Sequence, residues 1–200
     1  NISIFVFDGA IPYRSISNAI SDEPEMNKIW IRRGNEKNGV MSENRKKMES
    51  IFDEVIVPKE FFQMEIHDMN MGNIRYVNPI TYLNKKEMVS RNMAREYYGI
   101  LPGQIAVYVQ LGAGKIDNIQ NINEIAIEAL LKNEDVVVFL GESPLGKSEN
   151  IIHERIKTIK DYPNSKYFKG FDFAISACGY NSVHELLLAN TPTLFIPNLN

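Results

Sequence analysis

Phe171-Asp-Phe-Ala-Ile-Ser-Ala-Cys-Gly-Tyr-Asn-Ser-Val-His-Glu-Leu-Leu-Leu-Ala-Asn-Thr-Pro-Thr-Leu-Phe-Ile-Pro-Asn198 decides the fold. It reads as a strand at Phe173–Ile175, a glycine-containing turn, a helix with apolar positions from Val183 to Leu188, and a second strand at Thr193–Ile196. Each strand is a short continuous apolar run rather than an alternating one. Such runs, joined by a helix, belong to a parallel sheet covered on both faces.

The same rhythm extends towards the N-terminus. Ile2–Phe7, Ile29–Ile31, Val55–Val57, Ile105–Val109 and Val136–Leu140 predict further strands, and Glu43–Phe52, Lys85–Tyr98, Ile122–Leu131 and Ile151–Ile159 predict helices. The fold class is therefore α/β, with Rossmann-like parallel sheets. Between Phe62 and Leu83 three methionines, several asparagines, a glycine and Pro79 replace the pattern with turn chemistry. This divides the chain into residues 1–62, the tail of one domain with too few strands for its own core, a linker at 63–84, and a second domain at 85–200. The chain enters a strand at once and stops just after another, so both ends read as interior sequence and the second domain as incomplete at its end.

A composition of 44% apolar and 24% charged residues is that of a globular protein and excludes disordered and fibrous classes. A formal charge of -3 provides no general basic surface, which argues against nucleic acid as the main partner. The single cysteine, Cys178, cannot form an internal disulfide and fits a reducing compartment, with the cytoplasm as the default. No apolar run reaches the length of a spanning helix.

Chemistry concentrates in the opening segment. Gly179 allows close backbone approach, and the helix start near Ser182 presents N–H groups and a positive dipole end to a phosphate. Glu185, one turn in, is placed to accept from ribose hydroxyls. The same residues support a structural alternative, because Ser182-Val-His-Glu185 matches a capping box in which serine and glutamate satisfy the helix's own N–H groups. The residues alone leave both readings open.

This segment resembles the donor-binding signature of MurG-like GT-B glycosyltransferases, those with the family 28 type of C-terminal domain. The places of the signature are held here by Gly179, Tyr180, Asn181, Ser182, Glu185 and Pro197. Ile105-Ala-Val-Tyr-Val-Gln-Leu-Gly-Ala-Gly-Lys115 is similar to the first strand and Gly-rich loop of the same domain. Asn78-Pro-Ile80 resembles its interdomain linker, and Trp30-Ile-Arg-Arg-Gly34 and Val57-Pro58 resemble the last strands of its N-terminal domain. The resemblance implies an inverting, metal-independent hexosyl- or N-acetylhexosaminyltransferase. A UDP-sugar would be its donor substrate, with no further cofactor, and a lipid-linked or glycan hydroxyl its acceptor, in cell-envelope or polysaccharide synthesis. Gly112, Ala113 and Gly114 would face the diphosphate together with Ser182 and the Gly179 turn, Glu185 would hold the ribose, and the backbone near Tyr167 and Phe168 would meet the uracil. An enzyme of envelope synthesis would meet the inner face of the cytoplasmic membrane through its N-terminal domain. The family's N-terminal Gly-rich loop with the candidate base, and its sugar-contacting residues, would lie before Asn1 and after Asn200. This chain alone is expected to be inactive.

Other readings compete. Gly141-Glu-Ser-Pro-Leu-Gly-Lys-Ser148 satisfies the P-loop pattern, although Pro144 stiffens the loop and no later strand ends in an aspartate placed for magnesium. A nucleotide-sugar 2-epimerase or sensor could use the same fold, but an epimerase needs several carboxylates and the signature offers only Glu185. His67 in the linker and His153 and His184 on separate helices form no metal constellation. Arg32 and Arg33 read as a solvated strand end or as contacts to an acidic acceptor, and Tyr13-Arg14 as residues of a cleft.

Overall fold

The computed structural model describes residues 3–32, 43–61, 72–111, 117–142 and 153–197, which fall into two compact units, Asn1–Ile80 and Thr81–Asn200. The first contains β1 (Ile4–Gly9), α1 (Arg14–Ser21), β2 (Asn27–Arg32), α2 (Glu43–Glu49), β3 (Glu54–Pro58) and β4 (Ile74–Val77). Its strands form one parallel sheet in the order β1-β2-β3-β4. One face packs Trp30 against Ile20, Met26, Phe52 and Val55, and the Trp30 indole N–H donates to the Gly9 carbonyl at 3.0 Å. Arg32 is buried and paired with the buried Glu49, so it is neither a solvated strand end nor open to an acceptor; Arg33 lies outside the described residues. Tyr13 stands exposed at the start of α1.

Strand β4 lies inside the stretch read from its composition as a linker, and the two units divide after Ile80 rather than across residues 63–84. The cause is local. Gly72, at φ +60°, and Asn73 turn the chain, and Asn73 Nδ2 donates to the Glu49 and Phe52 carbonyls at 3.0 and 2.7 Å. That places Ile74 opposite Val55.

The second unit contains α3 (Arg91–Tyr97), β5 (Ile105–Gln110), α4 (Asp117–Leu131), β6 (Val136–Gly141), β7 (Ile156–Ile159), a 3-10 helix (Asn164–Gly170), β8 (Phe173–Ala177), α5 (Tyr180–Ala189) and β9 (Thr193–Ile196). Its five strands are all parallel in the order β7-β6-β5-β8-β9. Alternate residues of β5 face opposite ways. Ala106 and Tyr108 join Phe139, Phe168, Phe171 and Leu186 in one core, while Val107 and Val109 join Val138, Ile127 and Ile175 in the other. Both faces are covered, as the continuous apolar runs require. Among the described residues no helix is long and apolar enough to cross a membrane.

The expected helix at Ile151–Ile159 is corrected by the structure: Ile156–Ile159 is an edge strand paired with β6. Isoleucines three apart mimic a helical stripe, but the open edge of β6 takes a strand. Arg155 fixes its start by donating to the Leu131 and Asn133 carbonyls at 2.9 and 2.8 Å, at the end of α4. His153 accordingly sits in the preceding loop, not on a helix. Helix α3 begins only after Ser90, whose hydroxyl accepts from the Met93 N–H, and α2 ends at Glu49.

Candidate functional site

The order of the second sheet creates a topological switch. From β5 the chain moves outward through β6 to β7, and from β8 it moves the other way to β9, so the segments leaving the carboxyl ends of β5 and β8 part there. In open α/β sheets this parting forms the ligand crevice. The two glycine-containing turns singled out in the sequence follow these two strands. Of the first turn, Gly112, Ala113 and Gly114 lie outside the described residues, which resume at α4. The second is described in full.

Helix α5 starts at Tyr180, with Gly179 as its N-cap, and no side chain caps it. Its first intrahelical bond runs from the Val183 N–H to the Gly179 carbonyl at 2.9 Å. Starting there places Ser182 inside the first turn, so the capping box does not form. Gly179 and Asn181 are exposed, and Tyr180, Ser182 and Glu185 are half-buried. An uncapped helix start of this kind, facing outward, carries the N–H donors and positive dipole end that bind an anion. His184 is buried in the same helix, its Nδ1 2.7 Å from the Tyr180 carbonyl, and has a packing role.

Glu185 turns away from its own helix. Its Oε1 accepts the backbone N–H of Tyr82 at 3.3 Å. Burial pushes its carboxyl above the usual carboxylate range, opposed in part by the Tyr82 N–H and the nearby Ser165 hydroxyl. Ser165 Oγ is buried and completes no hydrogen bond, and neither does the buried Oδ1 of Asn164 beside it. Asn164 Nδ2 donates to the Tyr108 hydroxyl at 3.2 Å, and that hydroxyl donates to Gln110 Oε1 at 2.8 Å. Burial drives the Tyr108 phenol well above its ordinary value; Asn164 opposes this and the charge of Glu185 adds to it. Gln110, Tyr108, Asn164, Ser165 and Glu185 thus form one polar cluster below the carboxyl ends of β5 and β8. Two exposed rings, Tyr82 and Tyr162, pack with centroids 5.4 Å apart, and the Tyr82 backbone N–H links this pair to Glu185.

The structure places Tyr167 and Phe168 in the 3-10 helix and commits the rings of both to packing. Tyr167 stacks on Tyr97 at 4.3 Å, and Phe168 is buried against Tyr108. The Phe168 carbonyl already accepts from Thr191 Oγ1 at 2.9 Å and from the Phe171 N–H at 3.2 Å. Sequence reasoning missed Tyr82, Tyr162, Asn164 and Ser165. The only local signal was the turn composition of Asp161-Tyr-Pro-Asn-Ser165, and the contacts of these residues with Glu185, Tyr108 and one another's rings are tertiary.

Of the P-loop match, Gly141 ends β6 and residues 143–148 lie outside the described residues. The glycine at 141 has a packing explanation, since a Cβ there would lie 2.7 Å from Tyr108 Cζ.

No protein-family model matches the sequence, and no curated protein matches it. Among solved structures, the chain is similar to the kitacinnamycin glycotransferase, with a TM-score of 0.60 and 14% identity over 99% of this chain and 58% of that one. It is also similar to the spinosyn forosaminyltransferase SpnP, with a TM-score of 0.60 and 11% identity over 98% of this chain and 57% of that one. The chain therefore spans less than two thirds of the length of these structures. Its fold, two units each built on a parallel sheet, is that of GT-B glycosyltransferase domains.

Proposed function

We propose that this chain is the donor-nucleotide side of a glycosyltransferase, of the MurG-like kind, that moves a sugar from a UDP-sugar to a hydroxyl acceptor. The observation that carries this reading is the uncapped start of α5 beside the Glu185 carboxylate, at the switch point of a GT-B-type sheet. The diphosphate would lie on the N–H groups of Asn181 and Ser182, the ribose hydroxyls would donate to Glu185, and, by the resemblance, Gly112–Gly114 would face the phosphates. Tyr162 and Tyr82 provide faces on which the base would stack, and the backbone near Tyr167 and Phe168 would meet the base's edge.

In this reading an acceptor hydroxyl attacks the anomeric carbon in line, the bond from that carbon to the donor phosphate oxygen breaks, and the configuration inverts. Negative charge grows on the leaving diphosphate as the bond breaks. The fixed N–H dipoles at the start of α5 stabilise that charge most when it is greatest, which is electrostatic catalysis without a proton at the phosphate. The group that takes the acceptor's proton is not assigned.

Titration of the chain with UDP, ATP and GTP, with and without magnesium, tests the reading. Expected is a magnesium-independent preference for UDP that is lost in Glu185→Ala. Magnesium-dependent ATP or GTP binding that survives Glu185→Ala would overturn it in favour of the P-loop segment.

A further inference from the structure

The ring of Tyr162 packs on that of Tyr82, whose backbone N–H holds Glu185, and Tyr162 lies on the short segment between β7 and the 3-10 helix. What holds that segment is visible at its first residues. Asp161 Oδ1 accepts the Tyr97 hydroxyl at 2.9 Å and Oδ2 accepts the Tyr98 hydroxyl at 3.2 Å. One carboxylate is thus gripped by two phenols from the end of α3. Just before it, Lys157 Nζ donates to the Tyr98 carbonyl at 2.9 Å.

Helix α3 is itself anchored. Arg95 donates to Asp172 at 3.0 Å, to the Gln104 carbonyl at 2.8 Å and to the Gly170 carbonyl at 3.3 Å. Its Ala94 packs so closely on the 3-10 helix that a Cβ at Gly170 would lie 2.7 Å from the Ala94 Cβ. Tyr97 also stacks flat on Tyr167 of that helix, with an interplanar angle of 9°. The two phenols are therefore fixed points, and the loop is the part that needs holding. At its far end the Asn164 amide bonds Tyr108. Between these two ties only Tyr162 and Pro163 remain, and Tyr162 is exposed.

We infer that Asp161 is a positioning residue: clamped by Tyr97 and Tyr98, it sets the orientation of the Tyr162 ring against Tyr82, whose N–H holds Glu185, and so controls how the site receives a planar base. This rests on the donor-site reading above. Without the clamp, the bonds at Ile159 and Pro163 and the Lys160–Glu142 ion pair would still hold the ends of the segment, but Tyr162 would lose the side-chain tie next to it, and its ring would have to be ordered by the ligand at a cost in conformational entropy. The phosphate end of the site, built on α5, would not feel the change.

The test is calorimetric titration of the full chain and its variants with UDP and, separately, inorganic pyrophosphate. Asp161→Ala is expected to weaken UDP binding about five-fold, the worth of one fixed contact, and to leave pyrophosphate binding unchanged. Asp161→Asn, whose amide can accept from one tyrosine and donate to the other, is expected to bind UDP like the wild type. In a Tyr162→Ala background Asp161→Ala is expected to have no further effect. Spectrophotometric titration provides a second readout: the hydrogen bond to Asp161 and its charge push the Tyr97 phenol up to about 12, and in Asp161→Asn it should titrate nearer its ordinary 10.0. Equal weakening of UDP and pyrophosphate, additive losses with Tyr162→Ala, or unchanged UDP binding in Asp161→Ala would overturn the role of Asp161. A wild-type chain that binds no UDP would instead overturn the donor-site reading, and this role with it.

Discussion

The backbone N–H of Tyr82 donates to Oε1 of Glu185 at 3.3 Å, across 103 residues of chain. That bond turns the carboxylate out of its own helix and towards the crevice. It satisfies the acid only partly, because burial still raises the pKa above that of a free glutamate.

Glu185→Gln should therefore separate stability from binding. A carboxyl with a raised folded pKa contributes stability that is present below its unfolded value of about 4.5 and lost as pH rises through the folded value. The variant should match the wild type at low pH and be more stable at neutral pH, by about 1–2 °C in melting temperature. It should bind UDP about ten-fold more weakly, since charge-assisted hydrogen bonds to the ribose become neutral ones. Melting curves at two pH values and a UDP titration check this, and a Glu185→Gln chain less stable than wild type at neutral pH would contradict it.

Tyr162 has little to lose in the folded state. It is 72% exposed, so Tyr162→Ala should leave the melting temperature nearly unchanged, within about 0.5 kcal/mol of wild-type stability. Removing a base-stacking face should weaken UDP binding by about 1 kcal/mol or more. Tyr82→Ala should behave likewise, as it keeps the N–H that Glu185 uses. A UDP affinity equal to wild type in both variants would remove the base from this end of the site.

Gly141 is a packing requirement. An alanine methyl would overlap the Tyr108 ring, and the neighbour is a fully buried phenol rather than the free end of a flexible chain. Gly141→Ala should cost about 1–3 kcal/mol and displace the Tyr108 hydroxyl from Gln110 and Asn164. Denaturant unfolding checks the cost. Gly141→Ala in a Tyr108→Phe background should be better tolerated, because the crowded oxygen is gone.

Asp172 ties the start of β8 to α3. Burial would raise its pKa, but the Ala106 N–H at 2.8 Å and the guanidinium groups of Arg91 and Arg95 hold it below the ordinary 3.8. A depressed carboxyl contributes stability present above its unfolded pKa and lost as pH falls through the folded one. Asp172→Asn should thus destabilise the chain at neutral pH by about 2 kcal/mol, with the difference shrinking below about pH 4. Acid titration of stability by circular dichroism would show a constant difference if these contacts were unimportant.

The strands at the centre of both sheets were legible in the sequence, because a buried parallel strand must be a continuous run of apolar, often β-branched residues, as in Ile105–Val109 and Val136–Leu140. Two of the edge strands, β7 and β4, were not, although the edges β1 and β9 were. Lys157 and Thr158 expose β7 on its outer side, and the isoleucines flanking them are spaced as a helix would space them, so only the open edge of β6 decides the outcome. Strand β4 was hidden by the turn residues before it.

The site divides in the same way. Gly179, Ser182 and Glu185 were readable because a turn glycine, a helix start and an acid one turn in are close in sequence, and local geometry alone places them together. Whether they form a capping box was not readable, because Ser182 and Glu185 fit one until the helix is seen to begin at Tyr180. Arg32 looked solvated because its partner Glu49 is 17 residues away. The sequence determined a helix start behind a turn glycine, with an acid one turn in. Tertiary structure alone brought Tyr82 and Ser165 to that acid and Tyr162 to Tyr82, since contacts between segments far apart in the chain leave no periodicity to read, and their energy exists only once both cores have closed.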